Sequence, residues 1–184
     1  MNTQDRLPVA GSGERIPTAE LDPDDFKAAF RYHPAGVALI SANSEGRLAA
    51  ITATSLASLS AVPPLCTFSI SDLSSNAPVF RAASSVVLHL LDASNLDLAR
   101  LGAASGADRF ADERQWSLLA TGEPVFRGTR WLRSRVIERV RAGSATLFVV
   151  EALEIGGGRK EGPASGLVYL ARTWHRVDDA SILD

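Results

Sequence analysis

Residues 51–60 carry five hydroxyl side chains, Thr52, Thr54, Ser55, Ser58 and Ser60, and no charge. A uniform buried strand would leave some of these hydroxyls without partners, which is costly. Hydroxyls and free backbone N–H groups along one strand edge suit a phosphate and the polar rim of an aromatic ring. A solvated Thr/Ser-rich strand is the alternative reading of the same residues. The run Ser74-Ser75-Asn76-Ala77-Pro78 has the composition of a helix start. It could hold an anion at its first-turn N–H groups or serve only as a cap. Asp108-Arg109-Phe110 sets a guanidinium, which makes forked bonds to phosphate, beside an aromatic ring; a surface arginine next to a core phenylalanine has the same pattern.

Other chemistries lack their residues. No G-x-S-x-G elbow accompanies the serines. Gly156-Gly157-Gly158 has neither a G-x-G-x-x-G pattern nor a G-K-[ST] ending, and reads as a flexible hairpin end. His33, His89 and His175 lie far apart, and Cys66 is the single cysteine, so neither a disulfide nor a cysteine-rich zinc site can form within the chain. His89, inside an apolar run, reads as a hydrogen-bonded core residue rather than a base.

The elements that must position these residues are mostly strands. Residues 37–42 (VALISA), 65–70 (LCTFSI), 86–91 (VVLHLL), 146–155 (TLFVVEALEI), 167–171 and 174–177 read as strands, with a hairpin turn at residues 43–46. Helices are expected from Pro23-Asp24-Asp25, with Phe26, Ala29, Phe30 and His33 on one face, from residues 74–78 to about 83, and over 96–104 with Leu98, Leu101 and Ala99 inward. In residues 131–140 both alternating phases are mixed, so the pattern assigns no inward face. Residues 1–20 are polar and rich in turn formers and are expected to form a loosely attached arm on a domain over 21–184. The expected architecture is a mostly β barrel with a few short peripheral helices.

A formal net charge of −2 and a pI near 5.9 argue against bulk attraction to nucleic acid or an anionic membrane surface. No apolar run reaches the length of a membrane span and the start shows no secretory pattern. Cytoplasm is the expected compartment.

The order of these segments resembles the flavin reductase-like family over about residues 24–177. Residues 26–31 followed by Pro34-Ala35-Gly36-Val37 are similar to the family's opening helix and its A-G-V entry to the first strand. Thr52-Ala53-Thr54-Ser55 with Ser58, Ser60 and Pro63-Pro64 resembles T-A-N-S…S-x-S…P-P, and Ser74-Ser75-Asn76 stands where S-x-T is usual. Residues 86–91 replace an F-x-V-N-V-L strand, Asp108-Arg109-Phe110 matches D-[KR]-F, and Leu147-Phe148-Val149 and Leu167-Val168-Tyr169 fit the late L-F-V and L-V-Y strands.

The resemblance implies a split β-barrel that binds FMN or FAD and reduces it with NADH or NADPH. It implies a homodimer, and a flavin-dependent monooxygenase as recipient of the reduced flavin. Carried over, Thr52, Ala53, Thr54 and Ser55 would meet the flavin ring and ribityl chain. Ser74, Asn76 and Arg109 would take the phosphate, with Ser75 a further cofactor-binding residue and Phe110 supporting Arg109, and Ala145 would border the nicotinamide. The family's Asn is Thr54 here and its S-x-T threonine is Asn76; both keep hydrogen-bonding ability. Its G-D-H is Gly143-Ser144-Ala145, so a histidine near the two rings is replaced by a methyl group. The reductase has two rivals: a flavin- or haem-binding carrier or sensor without turnover, which that change supports, and an FMN-dependent oxidoreductase of an organic substrate.

Overall fold

The computed structural model describes residues 21–158 and 165–183. The arm expected over 1–20 lies outside them, as does the middle of the glycine-rich loop, 159–164.

The first helix, α1 (Pro23–Arg31), starts where the proline and acidic residues place it, with the Asp22 carboxylate accepting from the Asp24 N–H at 2.7 Å. A short strand β1 (Ala35–Gly36) leads into β2 (Ala38–Ser44) and β3 (Arg47–Ala53). Their two-residue turn, Glu45-Gly46, has both φ angles positive (53° and 79°), the backbone that a tight hairpin requires. Then follow β4 (Ala57–Ser60), β5 (Leu65–Ser71), α2 (Ala77–Ala82), β6 (Ser85–Leu90) and α3 (Leu96–Ala103). The second half holds β7 (Trp116–Leu118), β8 (Pro124–Phe126), β9 (Arg130–Ala142), β10 (Ala145–Gly156), β11 (Gly166–Leu170) and β12 (Thr173–Val177).

Seven strands form one sheet in the order β3-β2-β6-β9-β10-β5-β4, every neighbouring pair antiparallel. It curls until β3, at one end, faces β5 near the other. Among the described residues no ladder joins the two ends, so the barrel is split. The Ser55 hydroxyl spans the gap instead: it accepts from the Ser69 N–H at 3.0 Å and donates to the Ser69 carbonyl at 3.2 Å. β1, β11 and β12 form a second sheet, and β7–β8 a separate hairpin.

Side-chain alternation on β2 feeds two cores. Ile40 and Ala42 point into the barrel with Phe68, Ile70, Leu88, Phe148 and Val150, closed at one end by Val79 and Phe80 of α2. Phe68 and Phe148 stack with centroids 4.9 Å apart. Leu39 points the other way, into a cluster with Ala99 of α3, Leu91, Phe126 and Leu167. β2 is therefore buried on both faces, which is why VALISA is continuously apolar. His89 sits in this second layer, fully buried. Its Nε2 accepts from the Phe126 N–H at 3.0 Å and its Nδ1 donates to the Leu39 carbonyl at 3.1 Å, so the ring is neutral and burial holds its pKa down to about 4.

In α3, Ala99 is buried as expected, together with Gly102, and Leu98 packs half-buried on the second core, while Leu101 is half-buried. In the glycine run Gly156 and Gly157 are packed, whereas Gly158 has open space around it. A Cβ on Gly156 would stand 2.0 Å from the Trp131 ring, and one on Gly157, at φ +67°, 2.1 Å from the Thr129 carbonyl. The mixed phases of residues 131–140 come from one extra residue. Val149 pairs with Glu138 and Val150 with Val136, so Ile137 is a bulge that reverses which side chains point inward. No helix among the described residues is long and apolar enough to cross a membrane.

Candidate functional site

A cleft of about 640 Å³ opens between the free edge of β3, the outer side of β5, the loop before α2, and the end of α3. That volume suits a small-molecule ligand. Hydroxyls of Thr52, Thr54, Ser55, Ser69, Ser71, Ser74, Ser75 and Ser105 line it with Asn76, Gly102, Gly106 and Arg109. Among the described lining residues Arg109 is the only cation and there is no carboxylate. β3 is an edge strand, so alternate backbone groups facing the cleft have no ladder partner. Such a surface offers many neutral donors and one fixed positive charge, the chemistry of a site for a polar ligand that carries an anion.

The expected residues meet here from three distant segments. Thr52, Ala53, Thr54 and Ser55 form one wall, Ser74, Ser75 and Asn76 a second, and Arg109 closes the end beyond α3. Their roles differ. Thr54 and Ser75 are exposed to the cleft. The Thr52 hydroxyl donates to the Ala99 carbonyl at 2.7 Å, tying β3 to α3 and leaving only acceptor capacity for a ligand. Ser55 is occupied by Ser69. The Ser74 hydroxyl accepts from the Asn76 N–H at 3.3 Å, shaping the loop, and Asn76 occupies the N-cap of α2 without a side-chain cap bond.

The Arg109 guanidinium donates to the carbonyls of Ala104 and Ala107, at the end of α3, while its buried Nε has no hydrogen-bond partner in the chain. An unpartnered buried donor on the sole cation of a carboxylate-free cleft fits an anionic ligand group.

Two expected residues lie elsewhere. Phe110 is outside the cleft: it packs edge-on to Trp116 at 5.1 Å and against Phe126 at 5.6 Å, and its carbonyl accepts from the Trp116 indole N–H at 3.0 Å. It anchors the backbone carrying Arg109 to the core. Ala145 does not line the cleft either. It pairs with Ser71, which does, and so stands one strand beyond its rim.

Gly102, Ser69, Ser71 and Ser105 were not singled out by sequence reasoning. A Cβ on Gly102 would lie 2.3 Å from Thr52 Oγ1 and 2.4 Å from Leu39 Cδ1, so only glycine lets α3 approach β3 this closely. Ser69 and Ser71 alternate with buried Phe68 and Ile70 along β5. That period of two was the available signal for the wall they form.

The family model described as flavin reductase like domain matches residues 30–178. An NADH:FMN oxidoreductase of Rhodococcus erythropolis is 43% identical over 126 residues, covering 68% of this chain and 66% of that protein, just under two thirds of its length. The reductase component of a 4-nitrophenol 4-monooxygenase/4-nitrocatechol 2-monooxygenase from Rhodococcus opacus is 25% identical over 142 residues, 75% of this chain and 74% of that one. The crystal structure of a flavin reductase domain protein from Arthrobacter sp. FB24 superposes with a TM-score of 0.79 at 31% identity, covering 88% of this chain and 97% of that one.

Proposed function

Because the chain belongs to the flavin reductase-like family, we infer that it is an NAD(P)H:flavin oxidoreductase whose flavin occupies the cleft between β3, β5 and α3. The observation that carries this reading is the convergence of Thr52–Ser55, Ser74–Asn76 and Arg109 on one carboxylate-free cleft. FMN is the preferred flavin and NADH the preferred reductant; the 43% identical Rhodococcus relative, named an NADH:FMN oxidoreductase, supports both.

When bound, flavin and nicotinamide would themselves supply the redox chemistry, hydride transfer between the two rings. The chain's part is to bind and orient. Thr54 and the open edge of β3 take the polar rim of the ring, and Ser75, Asn76 and Arg109 take the phosphate. Thr52 and Ser55 act indirectly, holding β3 against α3 and β5 so that the walls keep their spacing. Ala145, beside Ser71, borders the place of the nicotinamide and leaves it open. No protein nucleophile or proton donor is required, which agrees with a cleft of hydroxyls and amides.

We further propose a homodimer that hands reduced flavin to a monooxygenase. Phe26 and Phe30 of α1 remain 52% and 57% exposed, and Leu59, Ile137, Val140 and Leu153 add further exposed apolar surface. These residues support burial against a second copy. The Rhodococcus opacus relative, a reductase component, supports the monooxygenase. A monomeric mass by light scattering at micromolar concentration would argue against the dimer.

The replacement of the family's histidine by Ala145 favours one second reading, a flavin carrier without turnover. Fluorescence titration with FMN, followed by steady-state NADH oxidation with added FMN, separates the two. The reductase binds FMN and oxidises NADH in proportion to protein; the carrier binds FMN and does not.

A further inference from the structure

At the end of the barrel that α2 covers, a second cleft of about 620 Å³ is lined by Asp72, Arg81, Arg139, Arg141 and Thr146. The bulge at Ile137 creates it. Upstream, Leu132 and Val136 pack toward the barrel core. Beyond the extra residue the phase reverses, and Arg139 and Arg141 pair with Phe148 and Thr146, which face inward. Two arginines thus reach the barrel mouth on one strand, and Arg81 joins them from the last turn of α2.

Three guanidiniums here face one carboxylate. Asp72 Oδ1 accepts from Arg81 at 3.0 Å and from the Thr146 hydroxyl at 3.0 Å. Arg141 approaches Asp72 Oδ2 only to 3.8 Å, beyond hydrogen-bond length, and its side chain is 84% exposed. Arg139 is held in place without an acid: it donates to the Ala83 carbonyl and lies over the Phe148 ring at 5.8 Å. A structural ion pair needs one arginine for Asp72. The other two guanidiniums leave donors unspent in a concave surface, and their mutual repulsion is relieved by an added anion.

We propose that this barrel end is a second anion site, in which Arg81, Arg139 and Arg141 take a phosphoryl group, free or carried by a nucleotide. It is separate from the flavin cleft, and the loop from Ser71 to Asn76 is the wall between them. A nucleotide longer than FMN lying in the first cleft has a second phosphate to place, and these three arginines stand on the other side of that wall.

Calorimetric titration of the flavin-free full chain with inorganic pyrophosphate at low ionic strength tests the site. The expected result is a binding event that persists in Arg109→Ala and is weakened about ten-fold or more in Arg141→Gln and in Arg139→Gln, the scale of a lost hydrogen bond between charged groups. FMN affinity should be unchanged in Arg141→Gln, whose exposed side chain makes a folding defect an unsuitable explanation. Pyrophosphate affinity equal in native protein and both variants would overturn the proposal, as would pyrophosphate binding that FMN displaces and Arg109→Ala abolishes. Titrations with FAD and NADPH identify the source. If their affinities fall in Arg141→Gln together with that of pyrophosphate, the phosphoryl group arrives on a nucleotide. If only pyrophosphate is affected, the site takes the free anion; both results support it. Because pyrophosphate is measured without flavin, failure of the flavin reading would leave this result intact.

Discussion

Gly102→Ala is the sharpest test of how the cleft is built. The new Cβ would stand 2.3 Å from Thr52 Oγ1, 2.4 Å from Leu39 Cδ1 and 3.0 Å from the Thr52 backbone nitrogen. Leu39 is fully buried and Thr52 is held by its bond to Ala99, so neither side chain can move away without a rearrangement. Relief requires α3 to shift from β3. Overpacking of this kind costs about 1–3 kcal/mol. The shift also stretches the Thr52–Ala99 hydrogen bond, about 1 kcal/mol net. Replacing glycine by alanine within a helix returns about 1 kcal/mol. The balance is a loss of about 2 kcal/mol, which lowers the urea midpoint by about 1 M. Ala103 and Gly106 move with the helix, so FMN affinity should fall as well. In a Thr52→Ala background the same substitution should cost less, because the nearest obstructing atom is gone. Urea unfolding followed by fluorescence, with FMN titration of the four proteins, measures these effects. A Gly102→Ala protein as stable as the native one, with native FMN affinity, would refute the claim that this close approach shapes the cleft.

Other outcomes follow from the same structure. Burial lowers the His89 pKa from 6.5 to about 4, so the unfolded chain binds a proton that the folded chain refuses between those values. Stability should therefore be fully present above pH 6.5 and decline as pH falls toward 4, by roughly 3 kcal/mol in total. Urea midpoints across that range should show this slope, and His89→Gln should flatten it while lowering stability at neutral pH. Arg109→Ala should weaken FMN binding by about 1.5–3 kcal/mol, the scale of a hydrogen bond to a charged group, and an unchanged dissociation constant by fluorescence titration would remove Arg109 from the site. Ala145→His should alter kcat/KM for NADH more than it alters FMN affinity, because Ala145 lies beyond the cleft's rim; steady-state kinetics with parallel FMN titration reads both.

The strands around the first core were legible in the sequence because β2 and β6 are buried over most of their length and β5 and the first half of β10 alternate buried with half-buried residues. The three-residue strands β7 and β8 were not, since a period of two cannot be recognised over so few positions. The inward face of β9 could not be assigned because Ile137 is a bulge that only the pairing with Val149 and Val150 reveals. The cleft's main walls could be named from residue types: hydroxyls without charges at 52–55, a cap-like run at 74–76, and an arginine at 109. Which hydroxyls remain available could not, because the bonds of Thr52 to Ala99 and of Ser55 to Ser69 join segments 47 and 14 residues apart. Phe110 was placed at the site because it adjoins Arg109, whereas its ring turns toward Trp116 and the second core. Gly102 and Gly156 carry no sequence mark that separates them from other glycines; their need arises from Thr52, Leu39 and Trp131 in the folded chain.

The central claim is that this cleft holds a flavin in a position to be reduced by a nicotinamide. Anaerobic stopped-flow mixing of the FMN-loaded protein with NADH, following the loss of oxidised-flavin absorbance, tests it most directly. The expected result is reduction faster than that of free FMN under the same conditions, modest in rate because Ala145 replaces a histidine, and slower in Arg109→Ala at sub-saturating FMN. Protein that binds FMN yet shows no reduction by NADH or NADPH above the free-flavin background would contradict the reductase account and leave a flavin carrier in its place.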